Sequence, residues 1–252
     1  MKVSVITVCY NSEKYIRSAI ESVLKQSYKN IEYIIIDGMS KDSTMNIVKS
    51  YETLFDGRMK WSSEPDDGIY YAMNKGILLS SGDLVAILNS DDFYCDSSTI
   101  ENVVSKIQQN NADTLYGDIE FVKPNNIEIV TRKWTSSPFL VNSFRKGWHP
   151  PHPSFFVKKT LYEQFGLFDT SFRISADFDL MLRFLEKYRV STVYYNEVIV
   201  KMRLGGESTS SLRNRIIGNK DVLRSLKKNG ISTSLLYPLH RLVPKLIQFI
   251  KK

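Results

Sequence analysis

Residues 3–12, Val-Ser-Val-Ile-Thr-Val-Cys-Tyr-Asn-Ser, are a β-branched apolar run that stops at two residues able to cap a helix. Beyond it Ile16, Ala19, Ile20, Val23 and Leu24 recur at i, i+3, i+4, i+7 and i+8, the single apolar stripe of an amphipathic helix. A buried strand followed by a helix that carries the chain back is the repeating unit of a parallel sheet. The alternation continues, with strands predicted over 32–36, 59–62 and 84–88. Helices are predicted over 43–54, 69–79 and 97–109, the last introduced by Asp96. The expected fold is therefore α/β, a Rossmann-like, mixed and mostly parallel sheet flanked by helices.

Past residue 110 the pattern changes. Residues 114–122 and 127–134 alternate on either side of Pro124-Asn125-Asn126 and read as antiparallel strands. Three prolines within Gly147–Pro153 exclude regular structure there. A strand over 154–157, a helix over 177–188 and a last strand over 192–202 follow, then the polar loop Arg203–Ser208. Two further helices are expected over 211–228 and 234–250, divided by Asn229-Gly230. The expected organisation is a main domain over 1–210, in halves 1–110 and 111–210, with a basic amphipathic helical tail over 211–252.

The charge has a direction along the chain. Of 34 Lys/Arg and 27 Asp/Glu, ten and one (Asp221) lie after residue 211, so the tail carries +9 and the preceding 24 bases and 26 acids leave −2. An acidic body argues against a nucleic-acid surface and leaves only the tail as a basic element. The two cysteines, Cys9 and Cys95, form no disulfide framework and suit a reducing, cytoplasmic setting. The opening apolar run is too short for a membrane span and is read as a strand rather than a signal peptide.

Ligands of open parallel sheets bind outside the carboxyl ends of the strands. Those ends are Cys9-Tyr10-Asn11, Asp37-Gly38, Glu64–Gly68 and Asn89-Ser90-Asp91-Asp92. Neither glycine-rich phosphate loop, G-x-G-x-x-G or G-x-x-x-x-G-K-[ST], is present, so phosphates among these acids call for a divalent cation, Mg²⁺ or Mn²⁺. Asp91-Asp92 is the strongest candidate for holding it, because Asp96 already serves the following helix as a cap. Asp37-Gly38 is equally a turn-former, and Asp66-Asp67 could simply introduce the next helix. Tyr10 could be a half-buried aromatic or a stacking platform. Asp177 and Asp179 point to different faces of a helix, so one of them at most faces a given site. His149 and His152 are two imidazoles without a third convergent ligand, read as loop packing or substrate contact.

The ordered motifs Val-Ser-Val-Ile-Thr-Val-Cys-Tyr-Asn (3–11), Ile-Ile-Ile-Asp-Gly-Met-Ser-Lys-Asp-Ser-Thr (34–44), Ser-Glu-Pro-Asp-Asp-Gly-Ile-Tyr-Tyr-Ala-Met-Asn-Lys-Gly (63–76) and Leu-Asn-Ser-Asp-Asp (88–92) resemble glycosyltransferase family 2. The resemblance covers roughly residues 1–210 and is nearest to bacterial enzymes that build O-antigen or exopolysaccharide units. It implies a GT-A fold, a nucleotide-diphosphate sugar donor, with UDP-hexose the default, a divalent cation and inversion at the anomeric carbon. Carried over by motif, Tyr10, Asn11 and Asp37 would line the nucleoside pocket with Asp66 near the base. Asp91 would lie by the ribose or metal, Asp92 would ligate the metal, and Asp177 would be the base.

Two departures stand out. Met73 occupies a position where many relatives have Arg, so a phosphate or base contact would fall to Lys75, and Ala176 replaces the Glu that commonly precedes the base. His152 and Arg203 are read as acceptor-side or loop residues. The acceptor implied is a lipid-diphosphate-linked saccharide, reached from the inner face of the cytoplasmic membrane, with residues 212–252 as contact to an anionic surface. A nucleotidyltransferase and a non-catalytic sugar- or lipid-binding subunit are the competing readings.

Overall fold

In the computed structural model, which describes residues 1–205, 211–234 and 237, nine strands form one sheet. The first half contributes β1 (Val3–Cys9), α1 (Ile16–Leu24), β2 (Ile31–Asp37), α2 (Thr44–Tyr51), β3 (Met59–Ser63), α3 (Ile69–Leu79), β4 (Leu84–Ile87), β5 (Phe93–Tyr94) and α4 (Thr99–Gln109). The second half adds β6 (Thr114–Lys123), β7 (Asn126–Trp134), β8 (Phe156–Lys158), α5 (Lys159–Phe165), α6 (Ala176–Leu182), β9 (Thr192–Arg203) and α7 (Leu212–Lys228). The order is β3-β2-β1-β4-β8-β6-β9-β5, with β7 hairpinned on β6. β3, β2, β1 and β4 are parallel, β8 runs against both β4 and β6, and β6 and β9 are parallel to each other.

β1, β2 and β4 are buried along their whole length because helices cover both faces. Alternate side chains of β1 and β2 sort cleanly: Val3, Val5, Ile31, Tyr33 and Ile35 join α1, α2 and α4 on one face. Ile6, Val8, Ile34 and Ile36 join α3, α5, α6 and α7 on the other. A strand buried on both faces loses the polar alternation of a half-exposed one, which is why these runs read as continuous apolar stretches. On the second face α3 lies so close to β1 that a Cβ at Gly76 would overlap the Ile6 side chain.

Three sequence expectations need correction. Asn11 and Ser12 do not cap α1 with their side chains; the helix starts at Ile16 with no side-chain cap, and the Ser12 carbonyl accepts from Tyr15 N and Ile16 N at 3.0 Å each. The predicted helix 177–188 is α-helical only to Leu182; its last turn widens, so that Tyr188 N donates to Arg183 O at 2.9 Å. Helix α5 has no counterpart among the expected elements. Asp42 and Asp96 stand just ahead of α2 and α4 and accept from the Thr44 and Ser98 amides at 3.0 and 2.8 Å, although the N-cap residues of the two helices, Ser43 and Ser98, make no side-chain cap.

Helix α7 is capped by the Ser211 hydroxyl, which accepts from Asn214 N at 3.1 Å, and it packs on α6 through Val222 and Leu226. Asp221 accepts from Ile174 N at 3.0 Å and Ser175 Oγ donates to Gly218 O at 3.1 Å, so α7 fastens the loop that leads into α6. The expected helix over 234–250 lies outside the described residues apart from Ser234 and the buried Tyr237. Among the described residues no helix is long and apolar enough to cross a membrane.

Candidate active site

The parallel register sets Cys9 opposite Asp37 and Asp37 opposite Ser63, so the carboxyl ends of β1, β2 and β3 lie side by side. Asp37 is fully buried. It accepts from Ser63 Oγ at 2.6 Å, Ser40 N at 3.0 Å, Ser40 Oγ and Cys9 Sγ at 3.6 Å. Burial, reinforced by the Asp37 charge, pushes the Cys9 thiol far up, so it stays a protonated donor. The four donors bind the strand ends to one another and leave Asp37 little capacity for anything else.

Asp66 differs. Its Oδ2 is buried without a hydrogen-bond partner, and burial together with the nearby Asp37 and Asp67 charges raises its carboxyl. A Cβ at Gly38 would stand 3.7 Å from Asp66 Oδ2 and 3.5 Å from Tyr10 Cδ2, so glycine keeps the space between them open. Tyr10 is 60% exposed. The corner thus offers an aromatic face and an acceptor in want of a donor. Asn11 lies at its rim in the left-handed region (φ 47°), where its Oδ1 accepts from Lys41 N at 2.9 Å.

A hydroxyl pair, Ser12 Oγ to Ser90 Oγ at 3.0 Å, joins this corner to the loop after β4. There Asp92 is completely buried: Oδ2 accepts from Asn89 Nδ2 at 2.9 Å and Oδ1 has no hydrogen-bond partner. Burial, then the neighbouring Asp91, drives the Asp92 carboxyl well above the ordinary range; burial also raises Asp91, against the pull of Arg203. Two such carboxylates with an orphaned oxygen fit a divalent cation, which would relieve both desolvation and repulsion. Among the described residues no three His, Cys, Asp or Glu side chains gather as a ready cage, so the remaining ligands would be oxygens of a bound substrate or water.

Arg203, expected on the acceptor side or in a loop, lies against this acidic loop. Its Nη1 donates to the Asp91 carbonyl at 2.5 Å, and its guanidinium centre is 4.9 Å from the ring centroids of both Tyr15 and Phe93. The side chain is buried, and that burial lowers its pKa against the pull of Asp91 and Asp92.

Helix α3 links the corner to a third group. It begins directly after Asp66-Asp67-Gly68, and in its first turn Tyr70 donates to the Ile174 carbonyl and approaches Asp177 Oδ1 at 3.4 Å. Asp177 sits in the first turn of α6, where its Oδ1 also accepts from Phe178 N at 2.8 Å. Burial and the Asp177 charge raise the Tyr70 hydroxyl well above its ordinary value, so it remains a donor. His152 is drawn to the same place: Asp177 pulls its pKa up, burial pulls it down more strongly, and the ring packs edge-on to Phe168 at 5.6 Å.

Two residues are already engaged. Lys75 is ion-paired with Glu64 at the end of β3. Asp179 is fully buried, holding Arg183 Nε at 2.9 Å, Ser225 Oγ at 2.7 Å and Asn229 Nδ2 at 3.0 Å. Only Asp177 of that pair is left for chemistry, as the i, i+2 spacing requires. Sequence reasoning missed Tyr70, although it stands inside the quoted third motif, directly after a helix start; its partner is 107 residues away.

A sequence profile described as Glycosyl transferase family 2 matches residues 4–174. A glycosyltransferase of Rickettsia typhi is 31% identical over 222 residues, covering 83% of this chain and 66% of that protein, so the chain spans just under two thirds of that relative's length. The PGL/p-HBAD biosynthesis glycosyltransferase of Mycobacterium bovis is 24% identical over 245 residues, 97% of this chain and 91% of that one. Among solved structures, S. aureus TarS 1–349 in complex with UDP superposes with a TM-score of 0.68 at 17% identity, covering 99% and 71% of the two chains. The mannosyltransferase PcManGT of Pyrobaculum calidifontis, in complex with GDP-Man and Mn²⁺, gives 0.68 at 17% identity over 97% and 73%. At such identities the likeness is one of fold, the GT-A arrangement.

Proposed function

Because the chain belongs to glycosyl transferase family 2, we propose that it transfers a hexosyl residue from a nucleotide-diphosphate sugar, by default a UDP-sugar, to a hydroxyl of a lipid-diphosphate-linked saccharide, with inversion at the anomeric carbon. The observations that support this reading are the buried, unpartnered oxygens of Asp66 and Asp92, which follow β3 and β4, and the contact of Tyr70, in the first turn of α3, with Asp177. Solved neighbours are complexes with UDP, UDP-GlcNAc and GDP-Man, which supports a nucleotide-sugar donor.

The residues divide the work by position. The exposed Tyr10 ring suits the face of a nucleobase, and the unpartnered Asp66 Oδ2 suits a base N–H. Asp92, with Asp91 beside it, is the group that would hold a divalent cation, which when bound stabilises charge on the departing diphosphate. Asp177 takes the proton of the acceptor hydroxyl as its oxygen attacks the anomeric carbon and the bond to the diphosphate breaks; such a base contributes on the order of 10²–10⁴-fold. Tyr70 steadies Asp177 by hydrogen bonding, and Arg203 holds the Asp91-Asp92 loop by its carbonyl.

Membrane contact through residues 212–252 at the cytoplasmic face belongs to the same proposal, supported by ten bases against one acid in that stretch. The deciding experiment incubates the protein and Mn²⁺ with a panel of UDP- and GDP-sugars and a lipid-diphosphate-linked GlcNAc or GalNAc acceptor analogue. One donor should yield nucleoside diphosphate and a glycoside of opposite anomeric configuration. No turnover of any donor, or pyrophosphate release from a nucleoside triphosphate and a sugar-1-phosphate, would overturn it.

A further inference from the structure

A second group of side chains, in segments that contribute nothing to the acidic rim, combines exposed apolar surface with positive charge. Leu140 is 70% exposed and Val141 56%. They stand on a turn that is firmly held: Ser143 N donates to Leu140 O at 3.0 Å, and Asn142 occupies the left-handed region at φ 71°. Glu186 accepts from Asn142 N at 3.0 Å and Phe144 N at 3.2 Å, and Phe144 is completely buried. The turn has a fixed base and an apolar tip left in water.

Single exposed apolar residues are ordinary, and the tip gains meaning from what surrounds it. Arg145 and Lys146 follow it directly. Arg145, Lys187 and Arg189 line a cavity of about 180 Å³ together with Asn142, Glu186 and Ser232. The acid of this cavity is already engaged, by the two backbone amides and by Arg189 Nη1 at 3.5 Å. Four bases against one acid leave the patch net positive. Tyr188, between Lys187 and Arg189, is 37% exposed and stacks on Phe165 at 4.0 Å between ring centroids. Arg145 also donates to Ser232 O and Ser232 Oγ at 3.0 Å each, which joins the patch to the basic C-terminal stretch.

We infer that the 140–146 turn, with Lys187 and Arg189, is a docking face for an anionic lipid surface. Leu140 and Val141 enter the headgroup boundary, and the bases around them meet lipid phosphates. An apolar tip beside a cluster of cations is complementary to a bilayer, where charge attracts and apolar area inserts. The inference rests on the membrane part of the proposed function and extends it from the tail onto the folded body. It does not depend on which sugar is transferred.

The test uses the full chain and sucrose-loaded vesicles of phosphatidylcholine with or without phosphatidylglycerol, with no sugar donor present. L140D/V141D and K146E/K187E are compared with wild type; Arg145 and Arg189 are left intact because they hold Ser232 and a positive-φ backbone. Wild type should sediment with the phosphatidylglycerol vesicles and not with neutral ones. At about fivefold per base near a membrane, K146E/K187E should lower partitioning by roughly twentyfold or more, and L140D/V141D should lower it tenfold or more by excluding the tip. Thermal midpoints and Mn²⁺-dependent UDP binding are followed in parallel and should not move, which separates lost docking from lost folding. Either variant binding like wild type overturns the inference, as does equal binding of wild type to neutral vesicles. Loss of UDP binding in wild type would instead strike the proposed transferase activity.

Discussion

Ser225 Oγ on α7 donates to Asp179 Oδ1 on α6 at 2.7 Å, inside a fully buried carboxylate whose other oxygen holds Arg183. Two positions before Asp179 stands Asp177. The first helix of the basic tail is therefore a structural brace for the helix that presents the candidate base, with Asp221 and Gly218 adding contacts to the loop just ahead of it. A segment that composition alone reads as an appendage helps to position the chemistry.

That brace predicts a stability cost. Arg183→Met leaves the Asp179 charge short of its guanidinium partner and should destabilise the protein by about 3 kcal/mol, whereas Ser225→Ala, removing one hydrogen bond to the same carboxylate, should cost about 1–2 kcal/mol. Urea midpoints measure both. A near-neutral Arg183→Met would show that Asp179 is not held as a buried ion.

Asp177→Asn should bind nucleotide sugar as wild type does and lose transfer by about 10²–10⁴-fold. Tyr70→Phe, which removes a hydrogen bond to Asp177 and to Ile174 O, should lower kcat more mildly, by about tenfold, with the donor KM unchanged. Single-turnover assays with labelled donor separate the two. Turnover of Asp177→Asn near the wild-type rate would assign the base elsewhere.

Asp92→Asn should keep its fold, because it replaces a buried carboxylate by a neutral isostere in a site where the charge is costly. It should lose at least tenfold in Mn²⁺-dependent affinity for UDP, as read by calorimetry with and without the cation. Equal affinity in the presence of Mn²⁺ would remove Asp92 from the cation site.

Acid should loosen the attachment of α7. Burial would raise the Asp169 carboxyl, but Lys228 Nζ and the Ser171 amide overcome it and hold it at about 2. A carboxyl depressed in the folded state adds stability that is complete above its unfolded value of about 4 and is lost as pH falls towards 2. Allowing for the exposed Lys228, that contribution is about 1 kcal/mol. Asp169→Asn should be less stable than wild type by this amount at neutral pH, with the gap closing near pH 2; a gap independent of pH would contradict the assignment.

The parallel half of the sheet was legible because strands covered on both faces are mostly apolar, and the four quoted motifs mark their carboxyl ends. Helix α5 was not, since Lys-Thr-Leu-Tyr-Glu-Gln-Phe is too short for a full amphipathic period and gains its stability from packing on β8 and on the segment that follows α6. The widened turn at Arg183 was equally hidden. Of the site, the acids at the strand ends could be read in advance, yet four equally acidic positions have different fates. Asp37 is saturated by four donors, Asp179 is locked in a buried ion pair, and Asp66 and Asp92 each keep an unpartnered oxygen.

The sequence by itself determined the alternating α/β plan, the acidic strand ends, the face-splitting of Asp177 from Asp179 and the concentration of positive charge after residue 211, because each depends on local periodicity and composition. Only the tertiary structure decided which carboxylates are free, that Arg203 reaches Asp91 across 112 residues of chain, and that Tyr70 meets Asp177 across 107. Desolvation and hydrogen-bond saturation belong to surroundings assembled from distant segments, and no local pattern contains them.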